Sequence, residues 1–158
     1  MTSEHATEVL RIYAEGIATR LATFETETPS WERWNEGHLP HSRLVALDGD
    51  RLFGWAALSS VSDRCVYGGV AEVSVYVGKM ARGRGVGKAL LRALCEASES
   101  NGIWTLQAGI FANNEASIRL HQACGFRIVG TRRNLGQLDG QWRDVMLMER
   151  RSTVVGVS

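Results

Sequence analysis

Between residues 82 and 88 the chain concentrates glycine and positive charge, in the order Arg82-Gly83-Arg84-Gly85-Val86-Gly87-Lys88. Glycines allow a ligand to approach the backbone without meeting a Cβ atom. The segment joins a predicted strand to a predicted helix, and a helix N-terminus offers unpaired N–H groups and a partial positive charge. Together with the upstream Lys79, these features favour a phosphate or pyrophosphate site. The alternative is that the glycines only form a tight strand-to-helix turn.

Two common nucleotide-binding motifs do not fit this loop. The P-loop pattern requires a glycine where Arg82 stands and a serine or threonine where Ala89 stands. The dinucleotide fingerprint requires a third glycine at the position of Lys88. The sequence therefore predicts a phosphate ligand of another kind.

A glutamate precedes the loop on a predicted strand. Residues 71–77 read AEVSVYV, and this alternation places Glu72, Ser74 and Tyr76 on one face and the valines on the other. A glutamate side chain can accept a proton, so Glu72 is a candidate for proton transfer. The alternative for Glu72 is a structural ion pair with a nearby cation.

A second polar group follows on the next predicted helix. Asn114, Ser117 and His121 are spaced i, i+3 and i+7 and therefore share one helix face. Histidine can donate a proton near neutral pH, so His121 is a candidate general acid, with Tyr76 and Tyr67 as further candidates. The alternative for His121 is a packing role with one hydrogen bond, and Asn114 also suits a helix cap.

The surrounding elements place these residues in an α/β domain. We predict a first helix over 3–15 with Ser3 as its N-cap, and a short helix that starts at Thr28-Pro29 with the proline in its first turn. Strands are predicted at 43–47, 52–58, 71–77, 103–110, 126–131 and 142–149, with a polar loop between the last two. Helices are predicted after the glycine loop, with Leu90, Leu91 and Leu94 buried, and over 114–123. The order of elements in the middle of the chain indicates a βαβ crossover followed by antiparallel strands.

Composition limits the classes of function. The 158 residues suit one domain, for which we predict the bounds 1–150, with a loose tail at 151–158. A net charge of +1 argues against a nucleic-acid partner. No apolar run approaches the ~20 residues that span a bilayer, and the first residues lack a signal-peptide core. The three cysteines lack metal-ligand spacing, so we expect reduced thiols, no metal and a cytoplasmic location.

Three segments resemble the GNAT superfamily of N-acetyltransferases. Arg82-x-x-Gly85-x-Gly87 fits the family's R/Q-x-x-G-x-G/A motif, Asn114-Glu115-Ala116-Ser117 with Cys124-Gly125-Phe126 resembles its second cofactor segment, and AEVSVYV resembles its fourth strand. The resemblance implies a mixed central sheet whose fourth and fifth strands splay apart, flanked by helices, with acetyl-CoA as co-substrate. Family members usually begin with a short strand, whereas here Ser3 already suits a helix cap, so either the first strand is missing or the given start of the sequence is late.

The resemblance also implies residue roles. The chain is most similar to the phosphinothricin N-acetyltransferase branch, through IYAEGIATRLATFET, the AEVSVYV strand, SIRLH and GQWRDV. Glu72 then takes the position of the proposed base, and His121 the position where many members have the tyrosine acid. The N–H of Val75 or Val77 would polarise the acetyl carbonyl. The cofactor would contact Val75, Val77, Arg82, Gly83, Arg84, Gly85, Val86, Gly87, Lys88, Asn114 and Ser117, and the acceptor would contact Phe24, Glu25, Arg64 and Tyr67.

This branch implies a homodimer that acetylates a small amino-acid-like amine, such as phosphinothricin or methionine sulfoximine, by direct attack in a ternary complex. Two alternatives stay open. The acceptor could instead be a protein N-terminus, a polyamine or an aminoglycoside, since the N-terminal third carries several glutamates. A domain that binds acyl-CoA without turnover would keep the glycine loop and could dispense with Glu72.

Overall fold

The computed structural model describes all 158 residues. The helices are α1 (Ala6–Ala18), α2 (Trp31–Glu36), α3 (Val86–Ser100) and α4 (Glu115–Ala123). The strands are β1 (Leu44–Asp48), β2 (Arg51–Ser60), β3 (Val70–Val77), β4 (Thr105–Phe111), β5 (Arg127–Leu138) and β6 (Gln141–Arg151). They form one sheet in the order β1-β2-β3-β4-β6-β5, in which only β3 and β4 are parallel. The predicted mixed α/β fold is confirmed, and no strand precedes α1.

The two parallel strands separate soon after they meet. They pair only where Val70–Glu72 of β3 faces Thr105–Gln107 of β4, although β3 continues to Val77 and β4 to Phe111. Helix α3 makes the crossover between them, as predicted. The sheet therefore opens into a V between the carboxyl ends of β3 and β4, which confirms the splayed strand pair.

The sheet packs on both faces. One face of β2, β3, β4 and β6 packs against α3, with Leu90, Leu91 and Leu94 fully buried as predicted. The other face packs against α1 and α2, where Trp34 and Trp55 are buried. Val73 lies in the first core and Tyr76 beside the second, which confirms the predicted alternation along β3.

Two predicted helix starts are wrong by one or two residues. A short 3₁₀ helix at Ser3–His5 precedes α1, and its N-cap is Thr2, whose N–H donates to His5 Nδ1 at 2.9 Å. Helix α2 is capped by Ser30, whose hydroxyl accepts from Arg33 N at 3.3 Å, so Pro29 lies just before the helix. In the second case a serine side chain can satisfy a free helical N–H, which proline cannot do.

The predicted polar loop near the C-terminus is also wrong, because that segment is strand. β5 and β6 form a long hairpin around Asp139-Gly140, whose φ angles of 52° and 78° suit a tight two-residue turn. The register shifts between Ile128 and Gly130 and again between Arg132 and Gly136. These irregularities break the period-two pattern on which a strand prediction rests.

The end of the chain is held by polar contacts. β6 runs through Arg151, whose guanidinium donates to the carbonyls of Val155 and Gly156. Ser152 is buried, and its hydroxyl accepts from the N–H groups of Val154 and Val155. The segment after β6 therefore folds back on the strand's last residues.

Candidate active site

A cleft of about 630 Å³ lies where β3 and β4 separate. Its walls come from the two strands, α1, the loop after α1, α4 and the β5–β6 hairpin. The residues that line it include Thr23, Phe24, Glu72, Val75, Tyr76, Val77, Arg82, Gln107, Gly109, Phe111, Asn114, Ser117, His121, Arg132, Leu135, Val145 and Leu147. Of the residues predicted from the sequence, Phe24, Glu72, Val75, Val77, Arg82, Asn114, Ser117 and His121 line this one cleft.

The backbone of β3 presents donors to the opening. Gly78 N donates to Phe53 O at 2.7 Å, so Gly78 points its N–H toward β2. Backbone groups along a strand alternate in direction, and the N–H groups of Val77 and Val75 therefore point away from β2 and into the cleft. The same alternation is seen at Gly69, whose carbonyl points away from β2 and accepts a hydrogen bond from Thr105 N at 3.1 Å. No strand pairs with β3 there, so these donors are free to bind a ligand.

Glu72 lies at the base of the opening. Its side chain is partly buried and forms no ion pair, and Oε1 accepts a hydrogen bond from Gln107 Nε2 at 3.2 Å. A Cβ atom placed on Gly109 would lie 4.0 Å from the same oxygen, so Glu72 extends across β4. The alternative prediction, a structural ion pair between Glu72 and a cation, is therefore not supported by its contacts. A carboxylate with one neutral partner keeps lone pairs available for a substrate proton.

His121 is buried on the cleft side of α4, with 5% of its surface exposed. Its Nδ1 lies 2.7 Å from Ser117 O, and burial lowers the pKa of the imidazole below its ordinary value. Because a carbonyl oxygen only accepts, Nδ1 carries the hydrogen, and Nε2 of the neutral ring has none. A neutral His121 therefore has its single N–H committed to the helix backbone.

Asn114 connects α4 to the opposite wall. Its Oδ1 accepts from Ser117 N at 3.3 Å and caps the helix, while Nδ2 donates to Leu21 O at 3.1 Å. The capping prediction is confirmed. The second bond also fixes the loop after α1 against the cleft.

The glycine loop lies beside the cleft mouth. Gly83 and Gly85 have φ angles of 78° and 79°, in the left-handed region, and Gly85 is the N-cap of α3. A Cβ atom on either residue would meet no protein atom within 4 Å. Arg82, Arg84 and Lys88 are exposed and form no ion pair. The loop is thus an open, positively charged backbone surface at a helix N-terminus. Gly87 and Val86 lie within the first turn of α3, where Val86 packs on the core.

The predicted acceptor residues divide into two groups. Phe24 lines the cleft and meets Phe111 edge-on, with ring centroids 4.8 Å apart. Glu25, Arg64 and Tyr67 are exposed and lie outside the lining, and the guanidinium of Arg64 covers the Tyr67 ring at 5.5 Å. Glu25 nevertheless lies near the cleft wall, because its charge adds to burial in raising the pKa values of Tyr13 and Tyr76.

Several lining residues were missed from the sequence. Gln107 and Gly109 lie on β4 beside Glu72, and Arg132 and Leu135 project from the irregular part of β5. The strand prediction at 103–110 contained a signal for the first pair, because alternate residues of β4 face Glu72. Burial also raises the pKa of the Tyr76 hydroxyl in the cleft wall, which therefore stays protonated. No group of three or more His, Cys, Asp or Glu side chains is placed to hold a metal ion, and no helix is long and apolar enough to cross a membrane.

Fold and site define the class of protein: a transferase with the GNAT architecture. The family model described as Acetyltransferase (GNAT) family matches residues 9–126, and the chain belongs to this family. A phosphinothricin N-acetyltransferase of Streptomyces coelicolor is 38% identical over 147 residues, covering 88% of this chain and 86% of the relative. An L-methionine sulfoximine/L-methionine sulfone acetyltransferase of Pseudomonas aeruginosa is 32% identical, covering 89% and 86%.

A comparison with solved structures indicates the same family as the sequence relatives. A GNAT superfamily phosphinothricin acetyltransferase from Sinorhizobium meliloti, in complex with AcCoA, superimposes with a TM-score of 0.89. It is 29% identical, and the match covers 100% of this chain and 89% of that one. The protein is therefore an N-acetyltransferase with acetyl-CoA as its donor.

Proposed function

We propose that the protein acetylates the amine of a small amino acid analogue such as phosphinothricin or methionine sulfoximine. The observation that carries the proposal is Glu72, a carboxylate without an ion-pair partner at the base of the split between β3 and β4. The names of the relatives suggest the acceptor class, because six of those at least 30% identical are named for one of these two compounds or the sulfone.

Acetyl-CoA, the acetyl donor, would be bound mainly by backbone groups of the protein. Acetyl-CoA supplies the acetyl group as a thioester. The N–H groups of Val75 and Val77 would hold the thioester end in the cleft, in the manner of an oxyanion hole. The diphosphate would lie on the loop formed by Arg82, Gly83, Arg84, Gly85, Val86, Gly87 and Lys88. Asn114 and Ser117 would contact the connecting arm from α4.

Glu72 would act as the general base. An amine that attacks a thioester needs a free lone pair, and at neutral pH most amino acids carry a protonated amine. Glu72 lies on the cleft side of β3 and has one neutral hydrogen-bond partner, Gln107, which orients the carboxylate. It would take the amine proton directly or through one water molecule.

His121 would line the part of the cleft that receives the thiol group of CoA, and it would do so as a neutral side chain. The lowered pKa and the bond from Nδ1 to Ser117 O support this role over that of a general acid. In the neutral ring Nε2 accepts a hydrogen bond, and only the imidazolium form could give up a proton from that atom. The remaining acid candidate in the cleft is Tyr76, which carries a proton at neutral pH but gives it up less readily than an exposed tyrosine, because burial raises its pKa.

The wider assignments belong to the same proposal. Phe24 would form the acceptor wall together with Phe111. The resemblance to the phosphinothricin N-acetyltransferase branch implies contacts of Glu25, Arg64 and Tyr67 with the acceptor and a homodimer, and the cysteine pattern favours a cytoplasmic location.

The variant Glu72→Gln tests the base. It keeps the size of the side chain, so acetyl-CoA affinity should not change, whereas kcat/KM for the amino acid should fall by about 10²–10⁴-fold. The remaining activity should rise with pH, because hydroxide then supplies the free amine. Glu115→Gln, an exposed glutamate on α4, is the control and should behave like the unmodified protein. Unchanged turnover in Glu72→Gln would refute the assignment.

A panel of acceptors separates the proposal from its alternatives. Free CoA and acetylated product are measured by mass spectrometry with phosphinothricin, methionine sulfoximine, a polyamine, an aminoglycoside and a peptide N-terminus. Turnover confined to the amino acid analogues is the expected result. Acetyl-CoA binding without turnover of any acceptor would favour a sensor domain.

A further inference from the structure

Arg132 is a cation on the acceptor side of the cleft that the sequence did not single out. It lies on β5 directly opposite Val145 of β6, and residues opposite one another in an antiparallel pair project to the same face. Both residues line the cleft. The lining contains one carboxylate side chain, that of Glu72, and two guanidinium side chains, those of Arg82 and Arg132.

The other nearby arginines are engaged. Arg82 belongs to the glycine loop, and its Nε donates to Val77 O at 3.3 Å. Arg20 pairs with Asp139 at 3.2 Å, and the guanidinium of Arg143 covers the Phe111 ring at 5.3 Å. Arg132 makes no ion pair and no hydrogen bond within the chain. Its guanidinium is free to bind an anion.

The sheet register fixes the separation between Arg132 and the base. The Glu72 carboxylate lies over Gly109, Gly109 pairs with Leu147, and Val145 two residues further along β6 pairs with Arg132. Gly109 and Arg132 are therefore separated by two strand spacings across the sheet and by two residues along the strands. These offsets place their Cα atoms about 12 Å apart. A long arginine side chain extended toward Glu72 leaves space for a molecule of amino-acid size between the two charges.

We propose that the guanidinium of Arg132 binds the carboxylate of the acceptor while its amine faces Glu72. This inference rests on the proposed function and identifies the acceptor class as an α-amino acid with a free carboxylate. Arginine is suited to this role because its planar fork donates two parallel hydrogen bonds to a carboxylate. A cationic acceptor such as a polyamine would be repelled by the same side chain.

The test compares methionine sulfoximine with its α-carboxamide, which has the same amine and side chain and no negative charge. In the unmodified protein kcat/KM should favour the acid. In Arg132→Met it should fall about tenfold to a hundredfold for the acid, mainly through KM, and little for the amide. Arg132→Lys should restore part of the preference, since it keeps the charge without the fork. Acetyl-CoA affinity, measured without acceptor, should stay the same.

Two control variants make the result specific. Arg133→Met removes the neighbouring exposed arginine and should leave the preference for the acid unchanged. Arg64→Met removes the arginine that the resemblance places at the acceptor, and it should change the preference for the acid less than Arg132→Met does. The inference is overturned if Arg132→Met lowers acid and amide alike, if it changes neither, or if Arg64→Met alone removes the preference. Failure of the unmodified protein to acetylate any amino acid would instead refute the proposed function and the inference with it.

Discussion

Gly85→Ala separates the two explanations of the glycine loop, a tight turn or a surface that receives a ligand. Gly85 has a φ of 79°, and a Cβ atom there would meet no protein atom within 4 Å. Alanine therefore adds no clash, and its cost is the left-handed backbone, about 1–2 kcal/mol. For a domain of this length each kcal/mol lowers Tm by about 2–4 °C. We expect a loss of about 2–8 °C.

Gly102, just after α3, is a matched control. Its φ is 78°, and its Cβ position is equally empty. Gly102→Ala should therefore lower Tm by a similar amount, measured by differential scanning fluorimetry. The two variants should differ in acetyl-CoA affinity, measured by isothermal titration calorimetry. Gly102 lies at the far end of α3, whereas a methyl group on Gly85 would stand where the diphosphate approaches the backbone.

The expected loss of affinity follows from the hydrogen bonds at stake. A backbone N–H that donates to a charged group contributes about 1.5–3 kcal/mol, so one lost bond raises Kd about tenfold or more. Equal Kd values for Gly85→Ala, Gly102→Ala and the unmodified protein would refute the ligand-binding explanation. They would show that the loop glycines only form the turn into α3.

Two further predictions concern the walls of the cleft. Asn114→Ala should lower the free energy of unfolding in urea by about 0.5–2 kcal/mol, as expected for a lost N-cap, and should also lower kcat/KM because Leu21 O loses its partner. Ser30→Ala removes the cap of α2 and should affect stability alone; equal kcat/KM in both variants would contradict this. Burial lowers the pKa of His121 in the folded state, so the unfolded chain binds more protons below about pH 6.5. Stability should therefore fall as the pH drops from 7 to 5, and less steeply in His121→Gln; identical slopes in urea titrations would be evidence against a buried neutral imidazole.

The elements predicted best are those with local signals. The Asp48-Gly49-Asp50 segment predicted the β1–β2 hairpin, which has a turn at Gly49, where φ is 61°. Gly125, with a φ of 89°, ends α4 as predicted, and the apolar stripe of α3 is buried. In each case neighbouring residues determine the conformation, so one short segment contains the whole signal.

The parts that escaped prediction depend on residues distant in the chain. Most of β5 is exposed, and its register shifts twice, so the face on which Arg132 lies follows from pairing with Val145 and not from alternation. The loop after α1 has no periodic pattern; it is held by Asn114 and by Phe24, which packs against Phe111. The resemblance predicted Glu72 and His121, but the partners Gln107 and Ser117 O became visible only in the fold.

The unpaired edge of β3 has a consequence for the behaviour of the protein in solution. A strand edge with free N–H and C=O groups is a template on which other polypeptides can add a strand and begin to aggregate. Here the edge faces inward, between α1, α4 and the β5–β6 hairpin. A second sheet could reach this edge only by entering the cleft. The placement of the split thus keeps the exposed backbone open to a small ligand while it protects the folded protein from self-association through β3.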